Sequence, residues 1–396
     1  MVISSEKKQE LLRNLDEFFA KTDKANSSDA ENLLTNFTML KRDVLDRLVV
    51  VKLNGGLGTT MGCYGPKSFI KVKGELSFLD IARQQHKVFN ETHHCDVPLI
   101  LMNSFYTDEL TIRELGKNSN VRTFCQSRCP RIDSETLLPV EETDEKQKWY
   151  PPGHGDIFHS LAVSGLLDEL LQQGRDIMFV SNIDNTGATL DLKIAQFACD
   201  EAVDYIMECT TKTQSDIKGG TLIDIAGQLM HLEFLKYLQN IWMNSVPHVH
   251  SNPQQSSYYS VRNLYWWMHT KFSVVLLNGV HVKRSRFLPV KKTDDLLAIS
   301  SDLYFIGPDR SLKLIEERDS APIIQLGKYF QTVDEFHARF DDYPNICDLR
   351  SLKIEGDVRF EKNVTLKGDV NIVNNSGKQQ IISSGTLINN ERVVFN

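Results

Sequence analysis

The sequence predicts an α/β protein, a mostly parallel sheet with helices on both faces, followed by a coil of short strands. Three observations predict it. Strand-like and helix-like segments alternate from Leu48 to about Thr211, the pattern of βαβ units. The run Leu48-Val-Val-Val51 breaks directly into Gly55, Gly56, Gly58 and Gly62, and ligands bind such loops at the carboxyl ends of strands. Near the C-terminus Val358, Val364 and Val370, and in step with them Phe360, Leu366 and Ile372, recur at six-residue intervals. That period suggests strands wound as a β-helix. A pair of antiparallel hairpins is the alternative there.

The 396 residues suffice for two or three domains. Charged residues are 24% and hydrophobic ones 41%, as in ordinary globular chains. A net charge of −7 argues against a general nucleic-acid binder. The seven cysteines are scattered and odd in number, which predicts reduced thiols and a cytoplasmic location. Cys125 and Cys129 have no second pair to complete a zinc site. The opening MVISSEKKQE lacks an apolar core, and no apolar run is long enough to span a bilayer. No membrane or nucleic-acid partner is expected.

In chain order, residues 1–47 read as helical and polar. Leu11, Leu12, Leu15, Phe18 and Phe19 form one apolar face, and a Ser/Asp/Asn/Lys-rich linker follows over Lys21–Asn32. After the first strand, Val97–Met102, Ile177–Val180 and Val203–Met207 are strand candidates because β-branched and apolar residues fill them. Phe78–Val88, Ser160–Gln173 and Leu190–Asp200 are helix candidates. Phe234–Thr270 is rich in tryptophan and tyrosine and carries the polar HVHSNPQQSSYYS. Its His248 and His250 lack further ligands that would make them a metal site.

The loop after the first strand carries chemistry. Glycines let backbone N–H groups approach an anion without Cβ clashes, and Lys67 adds a mobile positive charge. The loop is neither a Walker A sequence nor Gly-x-Gly-x-x-Gly. Pro151-Pro-Gly-His-Gly-Asp156 is a second glycine turn that brings His154 close to backbone. Asn182 and Asp184 stand two apart at a strand end, where they share a face if the strand continues. An Asx turn is the other reading.

The segment LNGGLGTTMGCYGPKS (Leu53–Ser68) resembles the signature of the eukaryotic-type UTP–glucose-1-phosphate uridylyltransferase (UDP-glucose pyrophosphorylase) family. Lys218-Gly-Gly-Thr-Leu222 and Arg284-Ser-Arg-Phe-Leu-Pro-Val-Lys291 extend the resemblance. It runs over 48–233 and 273–396 and breaks across Phe234–Thr270. The resemblance implies a Rossmann-like mixed-sheet, GT-A-like nucleotidyltransferase domain over 48–310, behind the helical segment 1–47. A C-terminal left-handed β-helix over 311–396 would follow. The implied reaction joins UTP and glucose 1-phosphate into UDP-glucose and pyrophosphate, by in-line attack on the α-phosphorus.

The resemblance also implies roles. Leu53, Asn54, Gly55 and Gly56 would hold the nucleotide, Lys67 the triphosphate, and Gln126 and Gly153 the uracil. His154 would meet a substrate phosphate. Asn182, Ile183 and Asp184 would line the substrate site, with Asp184 as ligand for Mg²⁺. Lys218, Gly219 and Gly220 would form the sugar-side loop. Lys291 and Lys67 would be the catalytic lysines, and Lys67, Asp184 and Lys291 would also meet the nucleotide. Self-association through the C-terminal coil is a further expectation. A subunit that binds UTP without turning it over is the alternative, as is a pyrophosphorylase for another sugar 1-phosphate. UDP-glucose formation separates them.

Overall fold

The computed structural model describes residues 42–117, 119–200, 205–211, 221–225, 228–232, 251–260 and 277–396. The expected N-terminal helix and linker lie outside them. So do Lys218, Gly219, Gly220, the His248/His250 pair and most of Phe234–Thr270.

A short helix, α1 (Arg42–Arg47), leads into β1 (Leu48–Leu53), which the sequence marks by its apolar run. Every residue of β1 is buried, as expected of a strand covered on both faces. Leu48 and Val50 pack with Phe179, Leu192 and Ala195 on one face. Val49, Val51 and Leu53 pack with Ile157, Leu161 and Leu170 on the other. Helix α2 (Phe78–His93) starts at Ser77, whose side chain accepts from the Asp80 N–H while Asp80 bonds back to the Ser77 N–H. Strand β2 (Leu99–Asn103), helix α3 (Asp108–Leu115) and strand β3 (Arg122–Cys125) follow. The segment expected as one helix over Ser160–Gln173 is two, α4 (Ile157–Val163) and α5 (Leu166–Gln172). Gly165, at φ +77° between them, makes a turn that side-chain-bearing residues resist.

Strand β4 (Ile177–Asn182), helix α6 (Leu192–Asp200) and strand β5 (Tyr205–Thr211) complete the alternating region. Strands β6 (Ser251–Ser260) and β7 (Leu277–His281) then join the same sheet. The seven strands run in the order β7-β5-β6-β4-β1-β2-β3. All neighbours are parallel except β6, which lies antiparallel between β4 and β5, with a register shift between Pro253 and Ser257. The sheet is therefore mixed. Ser251–Ser260, the described part of the polar HVHSNPQQSSYYS stretch and without strand periodicity, contributes a central strand.

Helix α7 (Thr293–Ser300) connects to the C-terminal region, where β8 (Ile323–Leu326) is followed by a short helix, α8 (Val333–His337). Then come β9 (Leu349–Glu355), β10 (Val358–Phe360), β11 (Thr365–Asn374), β12 (Gln380–Ile382), β13 (Leu387–Asn389) and β14 (Arg392–Phe395). These strands pair in parallel. Leu352 meets Val370, Val358 meets Gln380, Leu366 meets Ile388 and Ile372 meets Val393. The hairpin alternative is thereby excluded. The residues recurring at six-residue intervals all point inward and are buried, each worth about 1.5–3 kcal/mol of burial. One apolar cluster joins this region (Phe330, Phe336, Leu352) to Met61, Phe78 and Leu296.

Lys52 interrupts the apolar run of β1. Its ammonium donates to Ser181 Oγ at 2.7 Å and to the Ala188 carbonyl at 2.6 Å. Burial pushes its pKa down to about 7 from an ordinary 10.5. Between those values the unfolded chain binds the proton that the folded chain has shed, so stability rises with pH across that window. Lys52→Met should flatten this rise, read as urea midpoints at pH 7 and pH 9.

Candidate active site

The loops leaving β1, β2, β3 and β4 meet at the carboxyl edge of the sheet. Two clusters form there. The first surrounds Gly55. The Asn54 N–H bonds the Met102 carbonyl at 2.8 Å, and the Asn54 amide donates to Asn103 Oδ1 at 2.8 Å and Thr111 Oγ1 at 3.0 Å. Asn103 in turn donates to Asp108 at 2.8 Å. Ser104 Oγ donates to the Gly55 carbonyl at 2.7 Å. This polar lattice ties the glycine loop to the β2–α3 turn, so the loop is stiff before any ligand arrives.

Gln126 closes the same cluster. It is buried, and its Oε1 accepts the Gly153 N–H at 3.0 Å. A Cβ at Gly55 would lie 2.0 Å from Gln126 Nε2, so only glycine lets the amide sit there. A Cβ at Gly56 would meet nothing within 4 Å, which leaves open space over the backbone. Gly153 has φ +102°, a conformation for glycine. The turn it opens is held by Asp156, which accepts the Ser127 N–H at 2.7 Å and the Ser160 hydroxyl. His154 stands exposed on this turn, beside the cluster.

The second cluster is charged. The Lys67 ammonium lies 2.5 Å from Asp184 Oδ2 and also bonds the Val290 carbonyl. The glycine loop holds Lys67 through its N–H to the Gly56 carbonyl (3.1 Å) and the bridge between Leu57 and Pro66. Asn182 ends β4 opposite Leu53, and Ile183 donates its N–H to the Leu53 carbonyl at 3.2 Å. The strand does not continue to Asp184, because the Asn185 N–H turns back to the Asn182 carbonyl at 3.2 Å. Asn182 and Asp184 therefore belong to a turn, and the shared-face reading does not apply.

Lys291 is exposed one residue beyond Val290, and its N–H donates to Asp295 Oδ2 at 2.8 Å. Asp295 also takes the Lys292 N–H at 3.0 Å. Burial raises the Asp295 pKa, against those two bonds and the nearby Lys67 and Lys291 charges.

Leu53, Asn54, Gly55, Gly56, Gln126 and Gly153 thus gather in one cluster, and Lys67, Asp184 and the Lys291 segment in the other. Sequence reasoning missed Asp108, Asn185, Arg286 and Asp295, whose contacts are made only by folding. Among the described residues no three His, Cys, Asp or Glu side chains gather as a metal cage. A single half-buried carboxylate suits a hard cation that takes its remaining ligands from phosphates and water. Backbone N–H groups over open space, two lysines and one carboxylate can bind a polyphosphate and neutralise its charge.

A family model described as UTP–glucose-1-phosphate uridylyltransferase matches residues 3–272 and 268–367. The match continues across Phe234–Thr270, where the motif-by-motif resemblance breaks. A probable UTP–glucose-1-phosphate uridylyltransferase of Schizosaccharomyces pombe is 40% identical over 89% of this chain and 78% of its own length. The UTP–glucose-1-phosphate uridylyltransferase of Saccharomyces cerevisiae is 41% identical over 89% and 79%. Among solved structures, a UDP-glucose phosphorylase from Trypanosoma brucei matches with TM-score 0.82 and 32% identity, covering 91% of this chain and 88% of that one. A UDP-glucose pyrophosphorylase variant from Leishmania major, in complex with UDP-glucose, matches with TM-score 0.81 and 27% identity, covering 89% and 87%.

Proposed function

This chain belongs to the UTP–glucose-1-phosphate uridylyltransferase family, and from that premise we infer that it makes UDP-glucose and pyrophosphate from UTP and glucose 1-phosphate. An oxygen of the sugar phosphate attacks the α-phosphorus of UTP in line. The bond from that phosphorus to the bridging oxygen breaks, and pyrophosphate leaves with the electron pair. Such a transfer asks for positioning and charge neutralisation rather than a covalent nucleophile.

The chain's residues take the following parts. Leu53, Asn54, Gly55 and Gly56 present backbone to the nucleotide. Gln126 has its Oε1 taken by Gly153, so its amide N–H₂ remains to donate to a uracil carbonyl. His154, Asn182 and Ile183 border the sugar phosphate, joined by the Lys218-Gly219-Gly220 loop. Lys67 and Lys291 neutralise phosphate charge. Asp184 would hold Mg²⁺, which when bound supplies further neutralisation of the phosphates. Free thiols at all seven cysteines agree with a cytoplasmic enzyme. The C-terminal parallel strands suit a left-handed β-helix over 311–396, and exposed Leu387 and Val394 there offer a surface to a second copy.

The observation that carries this reading is Lys67, which bridges the Asp184 turn and the Val290–Lys291 segment from within the glycine loop. The test is pyrophosphate release from UTP and glucose 1-phosphate with Mg²⁺. Turnover giving UDP-glucose is expected. A UTP-induced rise in melting temperature without turnover would sink the enzymatic reading. Gln126→Ala should raise KM for UTP by about tenfold, the worth of one buried hydrogen bond, with kcat less affected. Initial rates at varied UTP check this.

A further inference from the structure

The segment between β7 and α7 that carries Lys291 has no regular structure beyond one 3-10 turn, Arg284–Arg286. A segment without ladder bonds holds its place only if side chains satisfy its backbone. Much of that work falls to Asn185, a residue 1% exposed and adjacent to Asp184. Its Oδ1 accepts the Leu288 N–H at 2.8 Å. Its backbone forms a bridge with Pro289. Its Nδ2 donates, at a long 3.4 Å, to the Arg286 carbonyl. One buried amide thus grips both sides of the chain just ahead of Val290 and Lys291.

The upstream end is anchored too. Arg286 pairs with fully buried Glu208 of β5 through Nε (2.9 Å) and Nη2 (2.5 Å), and Nη2 also meets the Thr189 carbonyl at 2.8 Å. The two loops are in direct backbone contact, since a Cβ at Gly187 would come 2.5 Å from the Ser285 carbonyl oxygen.

We propose that Asn185 is a positioning residue for the transfer reaction, setting Lys291 in place relative to Asp184 by holding the Leu288–Pro289 backbone. The proposal rests on the reaction inferred above. It assigns Asn185 no contact with substrate. Its loss therefore acts on the transition state, where a small displacement of a charged group is costly, and spares nucleotide binding.

The test compares Asn185→Ala with Asn185→Asp, which keeps the acceptor, in the full-length enzyme. Asn185→Ala is expected to lower kcat by about ten- to hundredfold with KM for UTP within about threefold. Asn185→Asp, which keeps the acceptor for the Leu288 N–H but sets an oxygen against the Arg286 carbonyl, is expected to recover part of kcat. Hydrogen exchange across 284–291 should speed up in the alanine variant and return toward wild type in the aspartate variant. A folded alanine variant with unchanged kcat, or with unchanged exchange, would overturn the proposal. A rise in KM matching the fall in kcat would overturn it as well. If Asn185→Ala does not fold, Asn185→Ser, whose shorter side chain cannot reach the Leu288 N–H in the same way, should show the same split, and unchanged kcat there is the overturning result. A wild-type chain without turnover would remove the inferred reaction, while the exchange comparison would still decide whether Asn185 holds the segment.

Discussion

Lys291→Ala should lower kcat by about two to three orders of magnitude, the usual loss when one preorganised charge-stabilising group is removed. The side chain is exposed, and the structure binds this residue through its backbone N–H to Asp295 rather than through its ammonium. The substitution should therefore leave the fold intact, with a melting temperature near wild type. UTP affinity should change by only a few-fold, because Gly55, Gln126 and Lys67 lie on other segments. Lys291→Arg should not restore the rate, since a planar guanidinium cannot stand where a compact ammonium stood. Single-turnover rates and thermal melts of the three proteins check these outcomes. A kcat within fivefold of wild type in Lys291→Ala would remove the lysine from the chemistry.

Asp184→Asn carries the second large effect, and it acts in two ways. In the structure the carboxylate neutralises Lys67 at 2.5 Å, with both side chains mostly buried. Removing the charge leaves a mostly buried ammonium with only neutral acceptors, the Val290 carbonyl and the new amide oxygen, and a lowered melting temperature follows. In the working enzyme the same oxygen would be the protein's ligand for the cation. The Mg²⁺ concentration giving half-maximal rate should therefore rise at least about tenfold, with kcat down by about 10²-fold. Rates against Mg²⁺ at saturating UTP measure both. A variant with the wild-type Mg²⁺ profile would show that the cation is held elsewhere.

The parts of this molecule that sequence makes legible are those whose chemistry is local. Leu48–Val51 reads as a buried strand and is one. The glycines after it read as a phosphate-cradling loop closed by Lys67, with an ordinary glycine turn as the other reading. The six-residue rhythm of Val358, Val364 and Val370 marks parallel strands whose recurring residues are all buried. Legibility ends where a role depends on partners far along the chain. Asn185, Arg286 and Asp295 look like ordinary polar residues, and their importance appears only when the 182–189 turn meets the 284–291 segment. The break of the Ser160–Gln173 helix falls at Gly165, whose left-handed conformation a helical pattern does not announce. Ser251–Ser260 fails as a sequence signal for another reason. Polar, serine-rich and interrupted by Pro253, it is a strand because β4 and β5 stand on either side of it, not because its own residues prefer one.

That last strand has a consequence for how the protein is made. Strands β4 and β5 are near neighbours in sequence, but the place between them is filled by β6, which reaches as far as Ser260. Until that residue has left the ribosome, the strand leading to Asp184 presents a bare edge to solvent. At roughly 5–20 residues per second, the nascent chain lives in this state for some seconds. Such an edge is a template for unwanted pairing. Chaperone demand should accordingly peak while residues 183–260 are being translated, and a chain truncated before Ser251 should aggregate rather than fold as a nucleotide-binding half.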